Sequence, residues 1–174
     1  MRHAYLPMIA AALILSTSVR AEEKNPCTQF KWDVTRELTV MKQSPQPLAA
    51  ASRSGAVPQL ELEKPYAVKL ANQADVKFAI EPAKSTSDEG AQAGLVSFRT
   101  AHAGRYRVSI ASGHWLDVVD GGKAVASRDF QGQRGCERPR KIVEFELPAE
   151  HEFTLQFSGA AEAEVVVAIT EVKV

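Results

Sequence analysis

From Leu60 onward the apolar residues of this chain recur at every second position. Val76, Phe78 and Ile80 alternate with Lys77, Ala79 and Glu81, and Tyr106, Val108 and Ile110 alternate with Arg105, Arg107 and Ser109. Val143, Phe145 and Leu147 alternate with Glu144 and Glu146, Phe153, Leu155 and Phe157 with Thr154 and Gln156, and Val165, Val167 and Ile169 end the series. A period of two turns one face of each run to a core and the other to water, as antiparallel sheets require. Gly104, Asp120-Gly121-Gly122, Pro148 and Gly159 punctuate the runs. Asp120-Gly121-Gly122-Lys123 predicts a two-residue hairpin, because both central glycines accept positive φ. About eight or nine strands at such spacing predict a mainly β fold, an antiparallel β-sandwich of jelly-roll type. No long helical stretch interrupts the strands, which disfavours a parallel α/β sheet.

The segment before the strands has another period. Phe30, Val34, Leu38 and Met41 recur at helical spacing, with Thr28 available as a cap and Ser44-Pro45 and Pro47 as a stop. A short N-terminal helix is expected over 28–43, laying that apolar stripe on the sheet with Trp32 helping to dock it. A Pro/Ala/Ser-rich loop is expected over 44–58. The expected organisation is therefore a leader over 1–21, the helix and loop over 22–59, and the sandwich over 60–174.

The leader is read from Met1-Arg2-His3, an apolar run from Tyr5 to Leu15, and Val19-Arg20-Ala21 ahead of Glu22. This is the layout of a secretory signal, with an apolar core too short to span a bilayer. Periplasmic or secreted localisation follows, with no membrane-spanning segment after cleavage. Removing the leader leaves 19 basic residues against 21 acidic ones, a net charge of −2. That balance argues against a nucleic-acid partner, whose binding needs basic surface to release counterions. In an oxidising compartment Cys27 and Cys136, the only two cysteines, are expected to form a disulfide.

No sequence signature of catalysis is present: there is no Gly-x-Ser-x-Gly elbow, no His-Glu-x-x-His and no phosphate-cradling glycine loop. No catalytic residue, metal ligand or cofactor is therefore assigned, although a triad assembled from distant Ser, His and Asp remains a rival. His114 and Asp117 stand three apart on a strand, so they are expected to diverge rather than share a metal, and Asp120 is expected to serve the hairpin. The strongest charge feature is Arg128–Lys141, expected to be a loop braced by Cys136. Its Arg128, Arg134, Arg138, Arg140 and Lys141 outweigh Asp129 and Glu137. Such a loop can grip carboxylate, sulfate or phosphate groups. The other reading has its arginines paired with Glu144, Glu146 or acids of the helix. Trp115 is read as a platform for a sugar ring or as a core residue.

The run Ala103-Gly104-Arg105-Tyr106-Arg107-Val108-Ser109-Ile110 resembles the central strand of bacterial pre-peptidase C-terminal-type sandwiches. Trp115-Leu116-Asp117-Val118-Val119-Asp120 and Phe153-Thr154-Leu155-Gln156-Phe157-Ser158-Gly159 are similar to further strands of those exported jelly-roll modules. The resemblance implies a sandwich with a localisation or substrate-binding role. Through Cys27-Thr28-Gln29-Phe30-Lys31-Trp32 and Gly135-Cys136-Glu137 the whole chain also resembles uncharacterised exported proteins of proteobacteria, which implies no activity. The expected function is thus non-catalytic: an accessory or binding protein of the bacterial envelope whose partner is another envelope protein or an anionic or saccharide ligand. A carbohydrate-binding module and a hydrolase are the rivals.

Overall fold

A computed structural model describes residues 25–84 and 89–173. The leader expected over 1–21 lies outside them. Two sheets pack face to face. The first runs in the order β1 (Gln46–Ala49), β3 (Tyr66–Lys69), β12 (Glu164–Glu171), β6 (Gly104–Ile110), β10 (Lys141–Leu147), β9 (Asp129–Gly132). The second runs β2 (Gln59–Leu60), β5 (Gln92–Arg99), β11 (Glu152–Ala160), β7 (Trp115–Asp120), β8 (Lys123–Ala124), with β4 (Ala71–Asn72) paired to β5. Within these lie β3-β12-β6-β10 and β5-β11-β7-β8, all antiparallel and interleaved in sequence, which is the strand order of a jelly roll.

The alternating side chains do what period two demands. Tyr106, Val108 and Ile110 of β6 and Val143, Phe145 and Leu147 of β10 meet Phe153, Leu155 and Phe157 of β11 between the sheets. The hairpin forms as expected: Asp120 pairs with Lys123, and Gly121 and Gly122 take φ of 52° and 81°. Cys27 and Cys136 are joined.

Several expectations are corrected. The sheets are mixed rather than purely antiparallel, because β1 pairs parallel with β3 and β2 parallel with β5. Both added strands come from or adjoin the stretch 44–58 expected to be loop. The alternation at 76–80 makes no strand; this segment crosses the outer face of the second sheet, where Val76 and Phe78 pack with Ala93 and Leu95. Gly159 lies within β11, at an irregularity in its pairing with β5.

The helix, α1 (Thr35–Met41), is shorter than expected and turned. Thr28 ends a 3-10 turn, Pro26–Thr28, instead of capping the helix. Cys27 therefore anchors that turn to the 133–136 loop, well ahead of α1. Phe30 and Val34 are buried as expected, with Cys136 and Ile142, but from the irregular arm before the helix. The helix turns Glu37 and Val40 inward along with Met41, while Leu38 is only half-buried. Glu37 is drawn in by Arg107, which the alternation assigned to solvent. Buried Arg107 donates to Glu144 Oε2 at 2.9 Å, to Glu37 Oε1 at 3.2 Å and to the Asp33 carbonyl at 2.8 Å. Thr170 Oγ1 donates to Glu37 as well, at 3.0 Å, and Trp32 lies over the guanidinium at 4.6 Å. Trp32 thus helps dock the arm rather than the helix it was expected to dock.

Candidate functional site

The open side of the sandwich lies between its two uneven edges. In the first sheet β9 extends beyond β10, whereas the second ends at the two-residue β8. Lys141, Val143 and Phe145 alternate on β10, so all three share the face that lines the core. Phe130 of β9 pairs with Val143 and shares that face, yet stands 66% exposed because no strand of the second sheet opposes it. The link from β8 to β9 crosses between the sheets here, and its Ala126 and Ser127, with Ala124 at the end of β8, are too small to fill the gap.

Two adjoining cavities result. One, of about 280 Å³, is walled by Leu116, Val125, Val143 and Phe145. The other, of about 440 Å³, is a cleft walled by Lys84, Arg134, Arg140 and Lys141 together with Ser112 and Gln133. Trp115, Phe130 and Lys141 line both. Trp115 is 37% exposed, which excludes the reading of it as a core residue. Its indole is fixed: Nε1 donates to Asp117 Oδ1 at 2.8 Å, and Asp117 also accepts from Gln156 Nε2 at 3.2 Å and the Ala83 amide at 3.4 Å. Lys141 Nζ lies 5.6 Å and Lys84 Nζ 6.0 Å from the centre of the Trp115 ring.

Lys141 donates to the His114 carbonyl. Burial, reinforced by the positive charges of Lys84 and Arg140 and opposed by Asp117, lowers its ammonium pKa to about 8. His114 is fully buried, and its Nδ1 lies 2.7 Å from Ser112 Oγ. Burial lowers its pKa, with Lys141 adding to the effect and Glu162 opposing it. His114 and Asp117 share no ligand, and among the described residues no group of acids, histidines and cysteines is arranged to hold a metal. Asp120 stands at the hairpin as expected, and its carboxylate meets His151 Nε2 at 2.7 Å.

Of the candidate residues, the fold brings Trp115, Arg134, Arg140 and Lys141 together. It separates Arg128, which faces Glu146 at 3.1 Å and Glu144 at 3.8 Å, as the ion-pair reading expected. Arg138 is exposed and lies outside the cleft. The stretch Arg128–Lys141 is not one loop, since it contains β9 and the first residue of β10. Phe130 and Lys84 escaped the sequence reading. Phe130 carried a signal, being a lone aromatic inside the basic stretch, whereas Lys84 carried none. Comparison with protein-family models, with curated proteins and with solved structures finds no match.

Proposed function

We propose that this is an exported, non-catalytic binding protein of a bacterial envelope, which takes an anionic ligand into the cleft of Trp115, Arg134, Arg140 and Lys141. One observation carries the reading: among the described residues, four cationic side chains line the cleft and no acidic one does. None of the four is within ion-pair distance of a carboxylate among those residues. Some other cations do have a counter-charge, as Arg36 has Glu63 and Lys64 has Glu61. A group of like charges with no carboxylate within ion-pair distance is suited to carboxylate, sulfate or phosphate. The leader over 1–21 and the likeness to exported sandwich modules support the envelope assignment. The test is calorimetric titration with glucuronate, sulfate and neutral glucose. Salt-sensitive binding of the anions, lost in Arg140→Ala/Lys141→Ala, is expected; equal binding of glucose and glucuronate, or no binding at all, refutes the reading.

A second reading has one observation behind it. Ser112 lines the cleft with its hydroxyl on His114, which resembles a nucleophile and its base. Its weakness is that no carboxylate among the described residues is hydrogen-bonded to the His114 ring, so none orients it. Hydrolysis of an aryl ester abolished by Ser112→Ala would favour it.

A further inference from the structure

We propose that the ligand is an amphipathic anion, whose charged group sits in the basic cleft and whose apolar tail enters the gap between the two sheets. This rests on the cleft being the binding site and adds the chemistry of the ligand's other end.

The two cavities are not independent, since Lys141, Trp115 and Phe130 belong to both. Lys141 stands first in an inward row, followed on the same face by Val143 and Phe145. A carboxylate held at Lys141 therefore has apolar wall on one side and Arg134 and Arg140 on the other. The chamber beyond is lined by Leu116, Val125, Val143 and Phe145, and its one acid, Asp117, is already engaged by Trp115, Gln156 and the Ala83 amide. A sugar would leave its hydroxyls without partners there, which is unfavourable. Protein interiors normally fill such space. Here Ala124 at the end of β8 and the crossing residues Ala126 and Ser127 leave it open, and Phe130 presents a large apolar surface at its mouth. A dry apolar cavity of about 150 Å³ admits a six-carbon ring, so about 280 Å³ suits a tail of about ten carbons.

The test is calorimetry on the leaderless, oxidised protein with butanoate, octanoate, octanol and 2-naphthoate. Octanoate is expected to bind at least about tenfold more tightly than butanoate, because four further methylenes leave water. Octanol is expected to bind more weakly than octanoate. Ala126→Phe, a change at an exposed position, is expected to fill the chamber and erase the gain from chain length. Tighter binding of naphthoate than octanoate supports the inference with an aryl tail. Equal affinity for butanoate and octanoate overturns it while leaving the anion-binding reading intact. Equal affinity for octanol and octanoate also overturns it, and binding of no anion at all overturns both.

Discussion

At the scale of single residues, the consequential side chain in this protein is Arg107. It occupies a strand position that the alternation assigns to water, yet it is buried with Glu37 and Glu144 on either side. Its removal would leave buried Glu37 without its ion-pair partner, while Glu144 would keep Arg105 and Arg128, each at 3.8 Å. Arg107→Met is therefore expected to cost about 3–5 kcal/mol in urea unfolding, far more than loss of an exposed ion pair. A cost like that of Lys64→Met, whose partner Glu61 lies in solvent, would show that the pairing contributes little. Lys141 makes a different prediction. Its ammonium loses its proton at about pH 8 in the fold against 10.5 ordinarily, so its burial opposes folding most below pH 8, and stability gains as pH rises from about 8 towards 10.5. Lys84, Arg140, Asp117 and the His114 carbonyl face it. A bound anion needs the charged form, so affinity for octanoate is expected to fall as pH passes about 8. Lys141→Arg should bind without that fall; an unchanged pH profile in the variant would remove Lys141 from the site.

At the scale of elements, what the sequence disclosed depended on whether one face or two is buried. Strands β6, β10 and β11 were legible because their inner faces alternate cleanly. The covering of the outer faces was read only as a helix laid on the sheet, although β12 carries a further sign of it: Val165, Val166, Val167, Ala168 and Ile169 form an unbroken apolar run, and such runs belong to strands buried on both sides. Val166 and Ala168 pack beneath Val40 and Met41 of α1. The helix was misplaced for a related reason, since Phe30 and Val34 bury themselves from an irregular arm that happens to share helical spacing with Met41. The candidate site was half legible. Charge and aromatic content picked out Trp115, Arg134, Arg140 and Lys141, but only the uneven strand edges explain why these meet and Arg128 does not. The crossing after β1 was invisible in the sequence, yet it fixes Gly94. A β-carbon there would lie 2.4 Å from Ala50 Cβ and 3.0 Å from Leu70 Cδ2. Gly94→Ala is expected to destabilise by about 1–3 kcal/mol, measured by thermal melting, as the chain over β5 is pushed away. An unchanged melting point would mean that 50–51 is not held against β5.

At the scale of the whole molecule, the Cys27–Cys136 bond joins residues separated by 109 positions, so it holds the N-terminal arm against the far part of the chain. Closing so long a loop removes freedom chiefly from the unfolded chain, by about 4–5 kcal/mol on the entropic account. The arm has weaker ties of its own: Lys31 N donates to Gln131 Oε1 at 2.6 Å, Gln133 Nε2 donates to the Gln29 carbonyl at 2.9 Å, and Phe30 and Val34 cover Ile142. The jelly roll keeps its own core between the sheets, so Cys136→Ser is expected to retain a β-type circular-dichroism spectrum while melting lower by about 10 °C. The bond also bears on the cleft. Arg134 and Arg140 flank Cys136 in sequence, and the segment carrying them is tied at Cys136 to the arm and by the Gln133 amide to the Arg140 carbonyl, at 2.8 Å. Freed at Cys136, that segment must be ordered again when an anion binds, which weakens affinity without removing any group that touches the ligand. Reduction of the wild-type protein is therefore expected to lower affinity for octanoate several-fold, and Cys27→Ser, altered on the other side of the bond, should reproduce the loss. Identical melting of oxidised and reduced protein would refute the stabilising role, whereas lower melting with unchanged affinity would confine the disulfide's effect to the arm and leave the cleft to the sandwich alone.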